Sequence, residues 1–468
     1  MPKKKKSESK PKRFIVENIE AIGTAIIVAL LFKVFILEIS RIPSGSMQPT
    51  LMGDPQSQLF DRVLVDKFSF QMRDPERYEI VVFKHPLERS RVMVKRLVGM
   101  PGEHFKIAAG DLWTRPDDSA EWTILRRPAS VMDEMWKRVD RNDYGDVEWS
   151  QRVGEGWRFE AGKIIAVGAG KAQFRLKSQG PLRNGYFDGY PDELREGNPR
   201  AVAKRESQQR NVGDVKLSGE VQAEAGTSEV VFEITEGSQS YSFRVPGPAA
   251  DANTTAVIET RLNGGESTVT PAGDFRLASG QSARVTAINL DDELVFELDG
   301  DEVARIEVPK VENGGAYMSV QFLGGGGQVD ELTVHRDVHY LPMPKLGSLS
   351  RNWEVVIPEG HYVVLGDNTQ DSADSRDWVS RTYPVPTEWG PTEFRGNFRM
   401  TENPRQGLDA EGRAVLGFRN EWGDVNWFGT QEAVGQDENA PLVPRELIIG
   451  RALAVFWPIH RGRFAWLH

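Results

Sequence analysis

Two serines stand one residue apart in "RIPSGSMQPTL", residues 41–51, beside a glycine and between two prolines. A serine hydroxyl is a weak nucleophile until a base takes its proton. No histidine lies near, and the flanking residues do not form a glycine-bracketed nucleophile elbow. The chain has no cysteine, which removes thiol nucleophiles, disulfides and thiolate metal sites together. The remaining base is an amine. Burial disfavours the ammonium form, so a lysine in an apolar strand can be brought toward neutrality.

"RVMVKRLVGMPGEHF", residues 91–105, supplies such a strand. Val92, Met93, Val94, Leu97 and Val98 surround Lys95, and Met100-Pro101-Gly102 is a turn signal. Alternation puts Lys95 and Arg96 on opposite faces, so one can be buried while the other reaches a carboxylate. A third segment, "HYVVLGDNTQDSADSRDW", residues 361–378, is a β-run entering a polar turn. That turn holds Asp367, Asn368, Asp371, Ser372, Asp374, Ser375 and Arg376. It lacks the spacing and distal glutamate of a calcium loop. A buried pair between Asp374 and Arg376 would be a fixed brace. His335 and His339 have a metal-like spacing, but no further ligand is near and the segment reads as a strand end, so no metal site is expected.

An element must hold the serine stretch in place. Residues 14–38 form an apolar run with Glu17 and Glu20 at one end and Lys33 near the other. At about 1.5 Å per residue, Ile15 to Leu37 spans a hydrocarbon core of roughly 30 Å. "LEISRIPSGS" offers no small-x-small cleavage site, so the run reads as an uncleaved anchor. The basic tail "MPKKKKSESKPKR", residues 1–13, assigns that end to the cytoplasm and the bulk of the chain to the far side of a cell membrane. A net charge of −10 without any basic domain points away from nucleic acid.

Taken in order behind an anchor, "PSGSMQPTL", "VKRLVGMPGE" and "GDNTQDSADSR" resemble the signature boxes of the type I signal peptidases, membrane-bound Ser/Lys endopeptidases that remove signal peptides from exported preproteins. "FDRVLVDKFSF", "RYEIVVFKHP" and the closing "LIIGRALAVFWPI" resemble the family's other strands. The resemblance implies roles. Ser46 matches the nucleophile and Lys95 the general base. Ser372 matches the hydroxyl that orients the lysine. Ser44 matches the hydroxyl that joins the Ser46 N–H in an oxyanion hole. Asp367, Asp374 and Arg376 match polar braces, with Arg96 a partner for one of them. Ile42, Met47, Leu51, Met93 and Val94 would line shallow pockets for small residues before the cut; the alternative is that they are core. No cofactor is implied. Phe60 precedes Asp61 where the family has glycine, and Thr369, followed by Gln370, stands after Asn368 where it has arginine. The rival classes are a soluble self-cleaving repressor-type peptidase, which the anchor argues against, and a catalytically inactive envelope scaffold, whose expected mark is loss of the serine or the lysine.

The expected fold is mainly β: a transmembrane helix, then a catalytic domain in parts (39–115, 345–383 and 446–468). Two inserts interrupt it, a β-sandwich at 150–341 and a second at 384–445 without a readable motif. In the first, short strands alternate apolar and polar residues, and "LDGDEV" is a hairpin signal. Its closing "GGQVDELTVHRDVHY" resembles concanavalin-like jelly rolls. It reads either as a carbohydrate- or protein-binding module or as a spacer. Gly324 to Gly327 lacks the lysine and helix of a phosphate loop and reads as a turn.

Overall fold

The computed structural model describes residues 10–55, 58–140, 147–160, 162–176, 180–186, 188–190, 209–311, 314–342, 352–385, 392–399, 402–429, 434–458 and 464–467. A helix runs Lys10–Phe35. Its apolar side chains, Ile19, Ile22, Ile26, Ile27, Leu30 and Leu31 among them, are exposed. Among the described residues no helix meets the length and apolarity needed to cross a membrane. The helix also stops short of the expected residue 38. Leu37–Arg41 is already a strand, paired antiparallel with Arg62–Asp66. Ile36 and Ile39 are β-branched, and that ladder outcompetes another helical turn.

One sheet carries the candidate chemistry. Its order is Leu37–Arg41, Arg62–Asp66, Ile448–Trp457, Ile80–His85, Glu88–Gly99, His361–Leu365 and Val443–Pro444, all antiparallel. The lysine strand, Glu88–Gly99, is partly exposed at its start and buried from Lys95 onward. It can be apolar on both faces because each face meets its own core. Met93 and Leu97 pack with Val81, Phe83, Val364 and Trp378, while Val94 joins Ile80, Val82 and Val63. A smaller sheet, Asn352–Val356, His104–Ala108, Asp111–Arg115 and Thr123–Ile124, packs beside it.

Two larger sheets face each other over one apolar core. The first includes Lys163–Ala166, Gly327–Arg336, Val215–Ala223, Ser282–Leu290 and Glu293–Leu298; the second includes Gly170–Leu176, Ala316–Leu323, Glu229–Glu236 and Gln239–Pro246. Period-two patterning builds that core: Val215, Leu217 and Val221 point inward from one sheet, Val230, Phe232 and Ile234 from the other. The hairpin signal "LDGDEV" is a turn with Asp299 and Gly300 both at positive φ, joining Glu293–Leu298 to Asp301–Glu307. His335 lies within Gly327–Arg336, and Gly324 lies in the turn before it. Among the described residues no cluster of His, Asp or Glu has the geometry to hold a metal ion. The region 384–445, without a readable motif in sequence, forms short antiparallel hairpins, including Arg405–Leu408, Ala414–Arg419 and Val425–Gly429.

Candidate active site

Ser46 sits in a single 3-10 turn, Gly45–Met47, directly after the first strand. Apolar anchors on both sides hold the turn down. Ile42, Met47 and Leu51 are at most 3% exposed and pack with Val63, Val65, Ile80 and Val82. The Leu51 N–H closes back onto the Met47 carbonyl at 2.9 Å. Ser46 is half-buried and Ser44 is exposed. Gly53 must be glycine, because a Cβ there would come within 2.5 Å of the Ser44 carbonyl oxygen.

Lys95 and Arg96 are both buried, at 1% and 0% exposure. Lys95 Nζ donates to Ser46 Oγ at 2.6 Å and to the Val94 carbonyl at 3.0 Å. Arg96, on the opposite face, donates through Nε and Nη2 to the two Asp367 oxygens at 3.0 and 2.9 Å, and through Nη1 to the Tyr78 carbonyl at 2.9 Å. Thr50 Oγ1 gives Asp367 a third donor at 2.6 Å. Asp367 thereby ties together the serine loop, the lysine strand and its own loop. Burial alone would push its carboxyl up, but the charge and hydrogen bonds of Arg96, with Lys137 and Thr50, hold it below the usual range.

The acidic loop is closed by a second buried pair. Arg376 meets Asp374 at 2.6 Å with both side chains inaccessible, and the Gly366 N–H donates to Asp374 at 2.9 Å. Burial opposes the Asp374 charge; Arg376 and the Gly366 N–H overrule it and lower the carboxyl. Ser372 is fully buried, its Oγ near enough to contribute to that lowering yet without a hydrogen bond of normal geometry. The packing here is tight: a Cβ on Gly366 would come within 2.1 Å of Ser372 Oγ and 2.3 Å of the Ser46 carbonyl oxygen. The Asn368 N–H donates to that same carbonyl at 3.2 Å.

Ser46, Lys95, Ser372 and the braces Arg96, Asp367, Asp374 and Arg376 therefore converge. Among the five pocket candidates, Ile42, Met47, Leu51 and Val94 share one core, whereas Met93, 8% exposed, packs in the neighbouring one with Phe83 and Leu97. Sequence reasoning missed Thr50 and Lys137. Lys137 is 3% exposed, its Nζ has no hydrogen-bond partner among the described residues, and burial brings it down to about 8. Nothing in "MWKRVD" marks it as different from a surface lysine.

The sequence matches the family model described as "Signal peptidase, peptidase S26" in two segments, residues 15–163 and 327–391. The probable signal peptidase I-2 of Synechocystis sp. is 36% identical over 131 residues, 27% of this chain and 57% of that protein. Signal peptidase I of Pseudomonas fluorescens is 33% identical over 173 residues, 33% of this chain and 59% of its own. In these segments the chain is similar to the type I signal peptidases. It spans just over half the length of such curated relatives. Most of the two large sheets fall in the gap between the matched signal peptidase segments. Among solved structures, the carbohydrate-binding module CBM66 from Bacillus subtilis aligns with 40% of this chain and 94% of its own at 10% identity and a TM-score of 0.26.

Proposed function

We propose that this chain is a membrane-anchored serine endopeptidase that cleaves signal peptides from exported preproteins with a Ser46/Lys95 dyad. The observation that carries the reading is the 2.6 Å hydrogen bond from the buried Lys95 amine to the Ser46 hydroxyl. A neutral Lys95 takes the Ser46 proton as Oγ attacks the carbonyl carbon of the scissile bond. The same amine, now protonated, passes the proton to the leaving nitrogen as the C–N bond breaks. Water then attacks the acyl ester, giving a proton to Lys95; the Oγ–C bond breaks, the new carboxyl end leaves, and Lys95 returns the proton to Ser46 Oγ. The Ser46 N–H and Ser44 hydroxyl stabilise the oxyanion, each donor worth roughly 3 kcal/mol in comparable hydrolases. Ser372 orients the amine.

The substrate binds as an extended strand beside the lysine strand, with small residues before the cut seated over Ile42, Met47, Leu51, Met93 and Val94. The exposed apolar side chains of the Lys10–Phe35 helix, beside the basic tail, support a single-pass anchor in the cell membrane with the catalytic region outside the cytoplasm. The test is cleavage of a preprotein with an alanine-x-alanine site in detergent micelles. Cleavage after that site by the wild type, abolished in both Ser46→Ala and Lys95→Ala, is expected. Inactivity of a well-folded wild type would favour the scaffold reading; activity surviving in both variants would put the site elsewhere.

A further inference from the structure

The serine loop is contacted by a segment that belongs to neither of its catalytic neighbours. Residues 180–186 and 188–190, after the sandwich strand Gly170–Leu176, are stitched to the sandwich. The Leu182 N–H donates to the Ala316 carbonyl at 2.9 Å, and the Val212 N–H to the Leu182 carbonyl at 3.0 Å. Arg336, from the strand Gly327–Arg336, bonds Asp188 and the Gly185 carbonyl. The segment is thus held from behind by the insert.

From that base two tyrosines reach the peptidase loops. Tyr190 OH donates to Gln48 Oε1 at 2.9 Å, two residues beyond Ser46. Asn368 Nδ2 donates to Tyr186 OH at 2.9 Å and to the Gly45 carbonyl, one residue before Ser46, also at 2.9 Å. The Tyr186 and Tyr190 rings lie 5.7 Å apart, and Tyr190, 4% exposed, packs on Met52 and Leu59. Beside them Gln370 Nε2 donates to the Asn184 carbonyl at 2.9 Å. Gln48, Asn368 and Gln370 are all buried, so each amide depends on protein partners for its orientation. Asn368 is the hinge of the arrangement: its backbone N–H holds the Ser46 carbonyl and its side chain holds the Gly45 carbonyl, while a sandwich tyrosine holds the amide.

We propose that Tyr186 and Tyr190 are positioning residues for Ser46, so that the inserted sandwich forms part of the peptidase site and is not a detached module. This rests on the Ser46/Lys95 reading given above. The hydroxyls fix Gln48 and Asn368, and these fix the two ends of the turn whose middle residue must meet the Lys95 amine. A turn free to drift loses near-attack geometry without losing the strand edge that binds the peptide.

The test compares wild type with Tyr186→Phe, Tyr190→Phe and the double variant, full chain in detergent, on an alanine-x-alanine peptide. Phenylalanine keeps the ring packing on Met52 and Leu59 and removes only the hydroxyls. Each single variant is expected to lose about fivefold in kcat, the scale of one hydrogen bond, and the double variant more, with KM within twofold of wild type. Thermal unfolding run alongside sets an assay temperature at which every variant is folded. Unchanged kcat in the double variant at that temperature overturns the proposal, as does a loss carried wholly by KM. Ser46→Ala runs in the same series: residual cleavage there would refute the dyad itself, a failure distinct from that of the tyrosines.

Discussion

Replacing Asp367 by asparagine removes one charge from the point where three segments meet. The carboxylate faces Arg96 at 2.9 Å with neither side chain accessible, and it also accepts from Thr50. At an effective dielectric of about 20, a pair this close interacts by roughly 5 kcal/mol, much of it offset by the cost of desolvating two ions. Deleting one partner does not refund that cost, because the Arg96 charge stays in the core. Such deletions cost about 3–5 kcal/mol. Glu134, 3.4 Å from Arg96 Nη2, takes up part of the orphaned charge, so Asp367→Asn should sit near 3 kcal/mol. Urea unfolding of the full chain in detergent, followed by far-UV circular dichroism, reads the shift. The double variant Arg96→Met/Asp367→Leu should be more stable than either Asp367→Asn or Arg96→Met alone, since apolar side chains of similar volume leave no buried charge. The pH dependence has a definite sign. The Asp367 carboxyl is lowered in the fold, so its contribution is present above the unfolded value of about 4 and is lost as pH falls through the folded value. Asp367→Asn should therefore lose less stability than wild type on acidification below pH 4. A destabilisation under about 1 kcal/mol, or an acid response identical to wild type, would refute the claim that this pair holds the three segments together.

Lys137 carries the opposite sign. Its amine is depressed to about 8 against an unfolded value near 10.4, so the unfolded chain binds more protons between those values and stability rises with pH across that window. Lys137→Met should stabilise the protein by up to about 3 kcal/mol at pH 7, with the gain fading by pH 10; thermal midpoints at the two pH values would show it, and a gain independent of pH would count against the buried-amine explanation. His85, buried against Trp378 with Nδ1 accepting the Leu87 N–H at 3.0 Å, is depressed to about 3 by burial, with Arg399 and Lys95 adding to it. It stays neutral in the fold while the unfolded chain charges below pH 6.5, so its share of stability is lost as pH falls from there. His85→Asn should narrow the stability difference between pH 8 and pH 4.5 by about 3 kcal/mol in urea titrations; an unchanged difference would mean that the ring is not buried in solution.

The parts of this site that were legible are those written within a few residues of each other. A serine flanked by glycine and proline, a lysine among valines and an acidic turn after a β-run each carry their own local signal. Alternation along Val215–Ala223 and the "LDGDEV" turn announced the sandwich in the same way. Partner choice is another matter. The Asp374–Arg376 pair, two positions apart, was readable in the turn, but Arg96 and Asp367 are 271 positions apart, and nothing local says that Arg96 takes Asp367. The helix boundary failed for a related reason: whether Ile36 onward continues as helix or turns into strand depends on the pairing offered by Arg62–Asp66, a segment the local pattern cannot weigh.

The most informative mismatch is the one the sequence displayed without explaining. Thr369, followed by Gln370, stands after Asn368 where the resemblance would place arginine, which reads in sequence as a lost brace. In the fold Gln370 is buried and bonded to the Asn184 carbonyl, and Asn368 beside it is bonded to Tyr186. Thr369, the position that arginine would take, is itself buried, with its carbonyl 3.4 Å from Arg376 Nη1, so a second guanidinium there would have to be desolvated in the same buried loop as the first, at a cost of several kcal/mol. Threonine at 369 carries no charge to desolvate, and the neutral Gln370 amide beside it satisfies the Asn184 carbonyl. The departure thus lies between two residues, Asn368 and Gln370, that the sandwich segment holds through Tyr186 and the Asn184 carbonyl. An uncharged residue at 369 suits a loop whose neighbours on both sides are packed against a tyrosine hydroxyl and a backbone carbonyl of the inserted segment.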